Sequence, residues 1–496
     1  MFCLRSILLL GSCLSLACAD LRADLMAAHV ESVFSEDAKY PNASAAFNLR
    51  FEFHPAAVTY PTSEQQVSEI VKIGKKNNVP VVARSGGHSY IANGIGGRDG
   101  SLVVDVMHLK RIDFNKTTNV ASVGTGNRNG DIAQALVALG RDVSHGTCPY
   151  VGLGGHVTYG GYGYASRIWG LALDDIVGMD AVLPDGSVVK TSDHEHQDIY
   201  WALRGAGGSF GIVTTMHFRT HEIPKAATTY RFNWILDVEK SISVLLAYQN
   251  ASARPDLPNE LGIRHELRRG LYPGTVNHSL TGTWNGPADQ FYAILDRFLK
   301  HYPEPVDSYV HNGTYFESLI YHSDKGTLNT TNPDDHDTFY AKSLATPQDY
   351  LLTEEAITKF VHVVANQGQS TTTGWFIQIE LWGSKNSAIN AFAYNHTSFV
   401  LRNTLFVMQF YASSHDKKPP FPQEGFEFLD NAVGSMTSTM PKGWEWSAYT
   451  DYIDGNLTTT NWQHLYYGKN YRRLQELKRE YDPNFIFGKF PTGIEL

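Results

Sequence analysis

Glycine is concentrated in three short stretches of the first half of the chain, at 86–87, 152–163 and 205–211. Without a Cβ, glycine lets the backbone approach a flat ligand closely, and bare backbone N–H groups can line a pyrophosphate. An ordinary turn remains the alternative for any one of these glycines. Together the clusters favour main-chain loops that enclose a flat, charged ligand. The stretch 205–211 lacks the G-x-G-x-x-G spacing and follows a helical segment, so a Rossmann site is not predicted.

The first nineteen residues have the pattern of a secretory signal peptide. Arg5 gives a short positive start, residues 7–16 are mostly apolar, and Ala17-Cys18-Ala19 is a small-residue cleavage site. The apolar run is too short to span a bilayer. We therefore predict a signal peptide at 1–19 and a secreted, extracellular protein with no membrane partner.

Cysteine usage singles out one residue. The chain has four cysteines, and three of them lie within the predicted signal peptide, so Cys148 alone would remain. It is either a buried thiol that packs as a small apolar group or a reactive group in a loop. Gly146, Pro149 and Gly152 surround it, which is typical of a loop. The residues alone leave both interpretations open.

Composition and charge exclude some partners. The formal charge of −9 at pH 7 gives no electrostatic basis for binding nucleic acid or an anionic membrane. We predict no metal site, and we expect a monomer. N-x-[ST] sequons, which in a secreted chain are candidate glycan sites, occur at Asn42, Asn115, Asn250, Asn277, Asn312, Asn329, Asn395 and Asn456.

Three motifs carry a resemblance to a known family. Residues 84–88 read Arg-Ser-Gly-Gly-His, residues 146–152 read Gly-Thr-Cys-Pro-Tyr-Val-Gly, and a helical segment at 470–484 is followed by Phe-Ile-Phe. On these motifs, which cover nearly the whole chain, the sequence resembles the berberine-bridge-enzyme-like FAD-linked oxidases. The resemblance is strongest to the fungal glucooligosaccharide and chitooligosaccharide oxidases, which have the vanillyl-alcohol-oxidase type of FAD fold.

The resemblance implies a cofactor and its attachment. In that family a histidine and a cysteine each bond to the same FAD, so FAD bound covalently through both His88 and Cys148 is expected. In that family, a small residue three positions after the cysteine is associated with the use of molecular oxygen as the electron acceptor, and Val151 occupies that position in this chain. The implied cofactor-binding residues are Arg84, Ser85, Gly86, Gly87, His88, Ser89, Gly146, Cys148, Val151, Gly152, Gly155, His156, Gly160, Gly163, Gly211, Ile212, Tyr467 and Asn470.

Periodicity predicts an α+β chain. Apolar residues at helical spacing predict a helix over 67–75 with Ser63 as its cap, and short buried runs predict strands at 79–83 and 102–106. After residue 224, alternating segments at 229–234 and 375–382 predict an antiparallel sheet, and helices are predicted at 242–249, 288–300 and 354–364. With the resemblance, this gives a bipartite FAD-binding domain (20–223 and 456–496) and an α+β substrate domain (224–455) whose sheet covers the flavin.

The resemblance also implies catalytic and substrate residues. Tyr449 aligns with the catalytic base of the oligosaccharide oxidases, and Glu380 is its candidate helper, at a position where relatives have Asp. Without the family, a packed aromatic is the simpler interpretation of Tyr449. The implied sugar-binding residues, which could otherwise be ordinary sheet residues, are Tyr90, Arg264, Glu266, Gln378 and Gln409.

The implied reaction is oxidation of the C1 hydroxyl of a reducing-end cello-, xylo- or gluco-oligosaccharide to the lactone, with reduction of oxygen to hydrogen peroxide. Arg264 would fill the space that an N-acetyl group needs. Three alternatives stay open. They are a berberine-bridge-like oxidase or dehydrogenase of a secondary metabolite, a chitooligosaccharide oxidase, and a lectin-like binding module with a vestigial flavin.

Overall fold

The structure is a computed structural model that describes residues 20–332, 334–457 and 459–496. The predicted signal peptide at 1–19 lies outside the described residues. Among the helices that the structure describes, none has the length and apolar character needed to cross a membrane.

Short strands and helices alternate up to residue 222, and long antiparallel strands follow. The strands are Ser32–Val33, Ala57–Thr59, Val81–Arg84, Leu102–Asp105, Ile112–Asn115, Val120–Gly124, Arg141–Asp142, Ile176–Val182, Val188–Thr191, Ile212–Arg219, His221–Glu222, Ala227–Asp237, Leu261–Arg269, Thr275–Trp284, Asp307–Gly313, Phe339–Pro347, Gly374–Leu381 and Thr404–Ser413. The α-helices are 20–27, Tyr40–Ala43, Glu64–Lys76, Asn129–Val137, Leu153–Thr158, Ser166–Trp169, Gln197–Ala206, Val238–Ser252, Phe291–Leu299, Tyr315–His322, Glu354–Ser370, Gln423–Thr437, Thr459–Tyr467 and Tyr471–Tyr481. Single 3-10 turns are Asn93–Ile95, Ala172–Asp175, Gly207–Ser209, Ala288–Gln290, Ala388–Ala391, Thr450–Tyr452 and Gly468–Asn470.

The N-terminal lobe contains two main sheets. In the first, Leu102–Asp105 pairs in parallel with Ala57–Thr59 on one side and Val81–Arg84 on the other. The second is a five-stranded antiparallel sheet built from segments between 112 and 219. The helix Glu64–Lys76 begins as predicted, because the hydroxyl of Ser63 accepts a hydrogen bond from the backbone of Gln66 at 3.3 Å.

The substrate half is a seven-stranded antiparallel sheet, which confirms the predicted α+β fold. Its strands lie in the order 307–313, 227–237, 275–284, 261–269, 374–381, 404–413, 339–347. Three long helices, 238–252, 354–370 and 423–437, pack on one face of the sheet. Along 374–381, Ile377 and Ile379 belong to that apolar core, whereas Gln378 and Glu380 point to the opposite face, which is turned toward the N-terminal lobe.

The C-terminal segment returns to the N-terminal lobe. Lys478 is fully buried and donates hydrogen bonds to the Ser209 carbonyl and to Asp482, each at 2.7 Å. The backbone of Val81 in turn donates to the carbonyl of Ile486 at 2.9 Å. A buried ion pair is tolerated here because its remaining donors and acceptors are paired. The two-part lobe is therefore as predicted, while the domain boundaries at 223 and 455 stay predictions.

Candidate active site

A cavity of about 770 Å³ lies between the glycine-rich loops of the N-terminal lobe and the outer face of the seven-stranded sheet. Ligand sites usually have a volume of about 300–1,000 Å³, so this one can hold a large cofactor together with a substrate. Its two walls are built differently. Main chain from 84–94, 146–155 and 207–211 forms one wall, and side chains from the sheet form the other.

The loop wall depends on the close approach of two motif glycines. A Cβ on Gly152 would lie 1.9 Å from the backbone nitrogen of Gly86, and a Cβ on Gly86 would lie 2.4 Å from that of Gly152. Contacts this short leave room for neither side chain. Nearby, a Cβ on Gly155 would meet no described heavy atom within 4 Å, so the main chain there faces open space.

The two candidate attachment residues both line the cavity. His88 follows the strand Val81–Arg84, and its imidazole stacks on the ring of Phe47 with centroids 3.9 Å apart. Its Nε2 lies 2.6 Å from a carboxylate oxygen of Asp334. Cys148 is half-buried, and burial together with the neighbouring carboxylate of Asp324 raises the pKa of its thiol.

Polar side chains on adjacent strands form an array on the sheet wall. Arg264 donates to the side-chain oxygen of Gln378 at 3.0 Å, and the amide of Gln378 donates to Glu266 at 3.0 Å. Burial would raise the pKa of Glu266, but the guanidinium groups of Arg264 and Arg268 hold it below its ordinary value. Arg264 and Glu266 therefore act together on one face, as the period of a strand predicts.

A second group on this wall carries an acid–base pair. The hydroxyl of Tyr452 donates to Glu380 at 2.8 Å, and the indole nitrogen of Trp382 donates to its other carboxylate oxygen at 3.3 Å. Burial raises the pKa of Glu380 to about 7, although Arg264 and these hydrogen bonds act against the shift. A carboxyl group that titrates near neutral pH suits proton transfer.

The predicted pairing of Tyr449 with Glu380 is wrong. The Tyr449 hydroxyl donates to Asp451 at 2.7 Å and accepts from the backbone of Gly161 at 2.9 Å, and the ring is 1% exposed. The turn Thr450–Tyr452 instead brings Tyr452 to Glu380. The two tyrosines are three residues apart with ring centroids separated by 5.1 Å, so the path of the turn decides which of them reaches Glu380.

Comparison with known proteins identifies the family. Residues 55–192 match the family model for an FAD binding domain, and residues 448–495 match that for berberine and berberine-like proteins. Glucooligosaccharide oxidase of Sarocladium strictum is 36% identical over 478 residues, which cover 94% of this chain and 93% of the relative. The chain belongs to the berberine-bridge-enzyme-like family of FAD-linked oxidases.

Further relatives agree with this membership. Chitooligosaccharide oxidase of Gibberella zeae is 33% identical over 450 residues, covering 89% of this chain and 88% of the relative. A solved structure of a chitooligosaccharide oxidase matches with a TM-score of 0.89 at 30% identity and covers 96% of this chain and 99% of its own. The protein is therefore an FAD-dependent oxidase, and the resemblance that the motifs indicated is confirmed.

The cavity fits the cofactor of this family. The loop wall offers bare main chain at the paired glycines Gly86 and Gly152 and open space above Gly155. The side-chain oxygen of Asn129, which is buried in this wall, has no hydrogen-bond partner among the described residues and is free to accept one from a bound ligand. The size of the cavity, its main-chain wall and the side-chain oxygen of Asn129 all suit FAD.

Most of the predicted site residues line this one cavity. On the loop wall they are Arg84, Ser85, Gly86, Gly87, His88, Ser89, Gly146, Cys148, Val151, Gly152, Gly155, His156, Gly163, Gly211 and Tyr467. On the sheet side they are Arg264, Glu266, Gln378, Glu380, Gln409 and Tyr449, and Tyr90 belongs to the loop segment 84–94. Gln409 donates to the hydroxyl of Tyr90 at 2.8 Å, which joins the two walls.

Three predicted cofactor residues lie outside the cavity wall. Gly160 is a packing position, because a Cβ there would lie 2.6 Å from the ring of Tyr449. Ile212 is 1% exposed and belongs to the apolar core beneath the lobe. The side-chain amide of Asn470 donates hydrogen bonds to backbone carbonyls of the 394–398 loop. Each therefore supports the site from behind, and their assignment as cofactor contacts stays a prediction.

Sequence reasoning missed several residues of the site. Phe376 and Tyr411 stack with centroids 4.9 Å apart on the sheet wall, and the alternation of their strands could have placed them there. Phe47 and Asp334 come from segments with no motif and reach His88 only through the fold. No local signal in the sequence identifies them.

Proposed function

We propose that the protein is a secreted oligosaccharide oxidase. It oxidises the C1 hydroxyl of a reducing-end cello-, xylo- or gluco-oligosaccharide to the lactone and reduces oxygen to hydrogen peroxide. The observation that carries this proposal is the buried pair of Tyr452 and Glu380, 2.8 Å apart, on the wall opposite the glycine loops. The names of the relatives, which are gluco-, chito- and xylooligosaccharide oxidases, support a sugar substrate.

FAD, when bound, supplies the two-electron acceptor that links the sugar to oxygen. We assign its attachment to His88 and Cys148, because both line the same cavity. A solved structure of glucooligosaccharide oxidase is described as carrying 6-S-cysteinyl, 8α-N1-histidyl FAD, and this chain has the same two residue types in the matching motifs. Val151 lies in the same loop and lines the cavity, and we assign it the position that admits oxygen.

The proton of the sugar hydroxyl leaves through Tyr452. Burial and the charge of Glu380 raise the pKa of Tyr452 well above its ordinary value, so the phenol does not ionise beforehand. Instead, Tyr452 takes the substrate proton while its own proton passes to the Glu380 carboxylate, to which it already donates. This relay requires Glu380 to be ionised at the start of turnover.

The sheet wall orients the sugar ring. The guanidinium of Arg264, fixed by Gln378 and Glu266, presents planar donors to ring hydroxyls. The stacked rings of Phe376 and Tyr411 offer an apolar surface to the flat face of a sugar. An N-acetyl group at the position of Arg264 would leave buried donors unpaired, so N-acetylated sugars should be poor substrates.

A substrate panel tests the reaction. Purified protein is incubated in air with cellobiose, xylobiose, maltose and chitobiose, and peroxide and the lactone or aldonic acid product are quantified. We expect equal amounts of peroxide and C1-oxidised product, with chitobiose the slowest. Absence of turnover with all four sugars would favour the secondary-metabolite alternative, and faster turnover of chitobiose than of cellobiose would favour a chitooligosaccharide oxidase.

Acid precipitation tests the attachment. We expect the yellow colour of wild-type protein to stay in the pellet, and His88→Ala and Cys148→Ala each to retain one bond. Colour that moves entirely to the supernatant in the wild type would contradict covalent attachment.

A further inference from the structure

His88 makes a contact that has no role in the proposed reaction. A carboxylate oxygen of Asp334 lies 2.6 Å from Nε2 of His88, and the side chains are only 19% and 13% exposed. The other carboxylate oxygen accepts from Lys325 at 3.1 Å. The two residues are 246 positions apart in the sequence, so the contact is created by the fold and not by the histidine motif.

The segment that carries Asp334 is hydrogen-bonded to the segment that carries Phe47. The backbone of Leu49 donates to the carbonyl of Asp337 at 2.7 Å, and Asp337 donates back to the carbonyl of Phe47 at 3.1 Å. Phe47 is the residue whose ring stacks on His88. Stacking on Phe47 therefore fixes the plane of the imidazole ring. Asp334 fixes its tautomer, since a carboxylate at Nε2 favours the tautomer that has its proton there.

We propose that Asp334 is a positioning residue for covalent attachment of the cofactor to His88. With the Nε2 proton directed at Asp334, the lone pair of His88 is on Nδ1, which is then the nitrogen available to form the bond. This inference rests on the proposed attachment of FAD through His88 and adds the residue that prepares the histidine for it.

The chemistry of the step explains why a carboxylate is needed. Nδ1 forms a bond to the methyl carbon of the cofactor ring, and one C–H bond of that methyl group is broken. The imidazole carries a positive charge as its second nitrogen remains protonated, and the carboxylate of Asp334 stabilises that charge. The two electrons of the broken C–H bond enter the ring system of the cofactor, and molecular oxygen then accepts them. The two protons needed to form hydrogen peroxide come from the methyl carbon and from Nε2.

Cys148 provides an internal comparison. The carboxylates of Asp324 and, to a smaller extent, Asp334 both disfavour the thiolate of Cys148, whereas Asp334 favours the charge that develops on His88. Loss of Asp334 should therefore slow the bond at His88 and should not slow the bond at Cys148. A general loosening of the fold would slow both, so the ratio of the two bonds separates positioning from structural support.

The experiment measures each bond directly. Full-length wild type, Asp334→Asn and Asp334→Glu are produced with limiting flavin and then incubated with FAD in air. Peptides containing His88 and Cys148 are quantified with and without attached FAD by mass spectrometry over time. Asp335→Asn is the matched control, because Asp335 is the next residue and its side chain is 70% exposed.

We expect attachment at His88 to be about 10- to 100-fold slower in Asp334→Asn, with partial recovery in Asp334→Glu and no change in Asp335→Asn. Attachment at His88 as fast in Asp334→Asn as in the wild type would overturn the inference, as would equal slowing at His88 and Cys148. Wild-type protein with no FAD on the His88 peptide would instead contradict the proposed attachment itself.

Discussion

The two walls of the cavity respond differently to sequence change. The loop wall places main chain against main chain, so its shape depends on glycines that tolerate no added atom. The sheet wall is made of side chains that hydrogen-bond across strands, such as Arg264 to Gln378 and Tyr452 to Glu380. One extra methyl group should therefore destroy the first wall, whereas substitutions in the second should change rate, pH dependence or sugar preference and leave the cofactor in place.

The largest expected effect tests the loop wall. In Gly152→Ala the new Cβ would lie 1.9 Å from the Gly86 nitrogen, and backbone cannot yield as a side chain can. We expect loss of nearly all bound flavin, measured by the absorbance of purified protein. Gly434→Ala is the control, because its Cβ would also meet open space and Gly434 lies in the helix Gln423–Thr437, away from the cavity, so this variant should keep a normal flavin content. A Gly152→Ala protein that retains its flavin would show that the loops move apart easily.

The next effect tests the sheet wall at its reacting group. Tyr452→Phe removes the hydroxyl that joins the substrate to Glu380, so we expect kcat to fall by about 10²- to 10⁴-fold with flavin content unchanged. Tyr449→Phe is the matched control, since its hydroxyl is engaged by Asp451 and Gly161. A larger loss in Tyr449→Phe than in Tyr452→Phe would return the proton-accepting role to Tyr449.

The difference between the two walls also explains how much of the site could be predicted from the sequence. Nearly all the residues predicted from the glycine and Cys148 motifs line the cavity, because these motifs determine local main-chain conformation. Helix Glu64–Lys76 and the strands of the sheet also follow their patterns, since burial on one face requires the observed periodicity. Arg264 and Glu266, which the resemblance implied, share one face because they lie two positions apart on one strand.

Contacts between distant segments could not be predicted in this way. Glu380 pairs with Tyr452 and not Tyr449 because the turn Thr450–Tyr452 sets which ring reaches the strand. Asp334 reaches His88 only because Asp337 is bonded to the backbone near Phe47. No periodicity or motif encodes such pairings, and they require the chain path.

A smaller, graded effect is the pH dependence of turnover. The pKa of Glu380 is raised to about 7, from an ordinary value of 4.5, and the relay needs its ionised form. We expect kcat/KM to fall about tenfold per pH unit below pH 7 and Glu380→Gln to lose this dependence along with most of its activity.

The raised pKa of Glu380 also determines how the stability of the fold changes with pH. Between pH 4.5 and 7 the folded protein binds a proton at Glu380 that the unfolded chain does not, so this residue lowers stability as pH rises through that range. Glu380→Gln should therefore gain thermal stability relative to wild type above pH 7 and not below pH 4.5. For the wild type, a kcat/KM that is constant from pH 5 to 8 would contradict the role of Glu380 in the proton relay.

The smallest expected effect concerns which sugar is preferred. Arg264→Gln shortens the side chain and removes its charge, which opens space for an acetamide group and weakens the hold on ring hydroxyls. We expect the ratio of kcat/KM for cellobiose over chitobiose to fall about tenfold, equivalent to about 1.4 kcal/mol. Arg268→Gln is the control, because the Arg268 side chain is 55% exposed at the rim, where it pairs with Glu266. Loss of a guanidinium so accessible to solvent should change the ratio less than about twofold. If both variants shift the ratio equally, the charge of the rim sets sugar preference. If only Arg264→Gln does, the buried array on the sheet wall sets it.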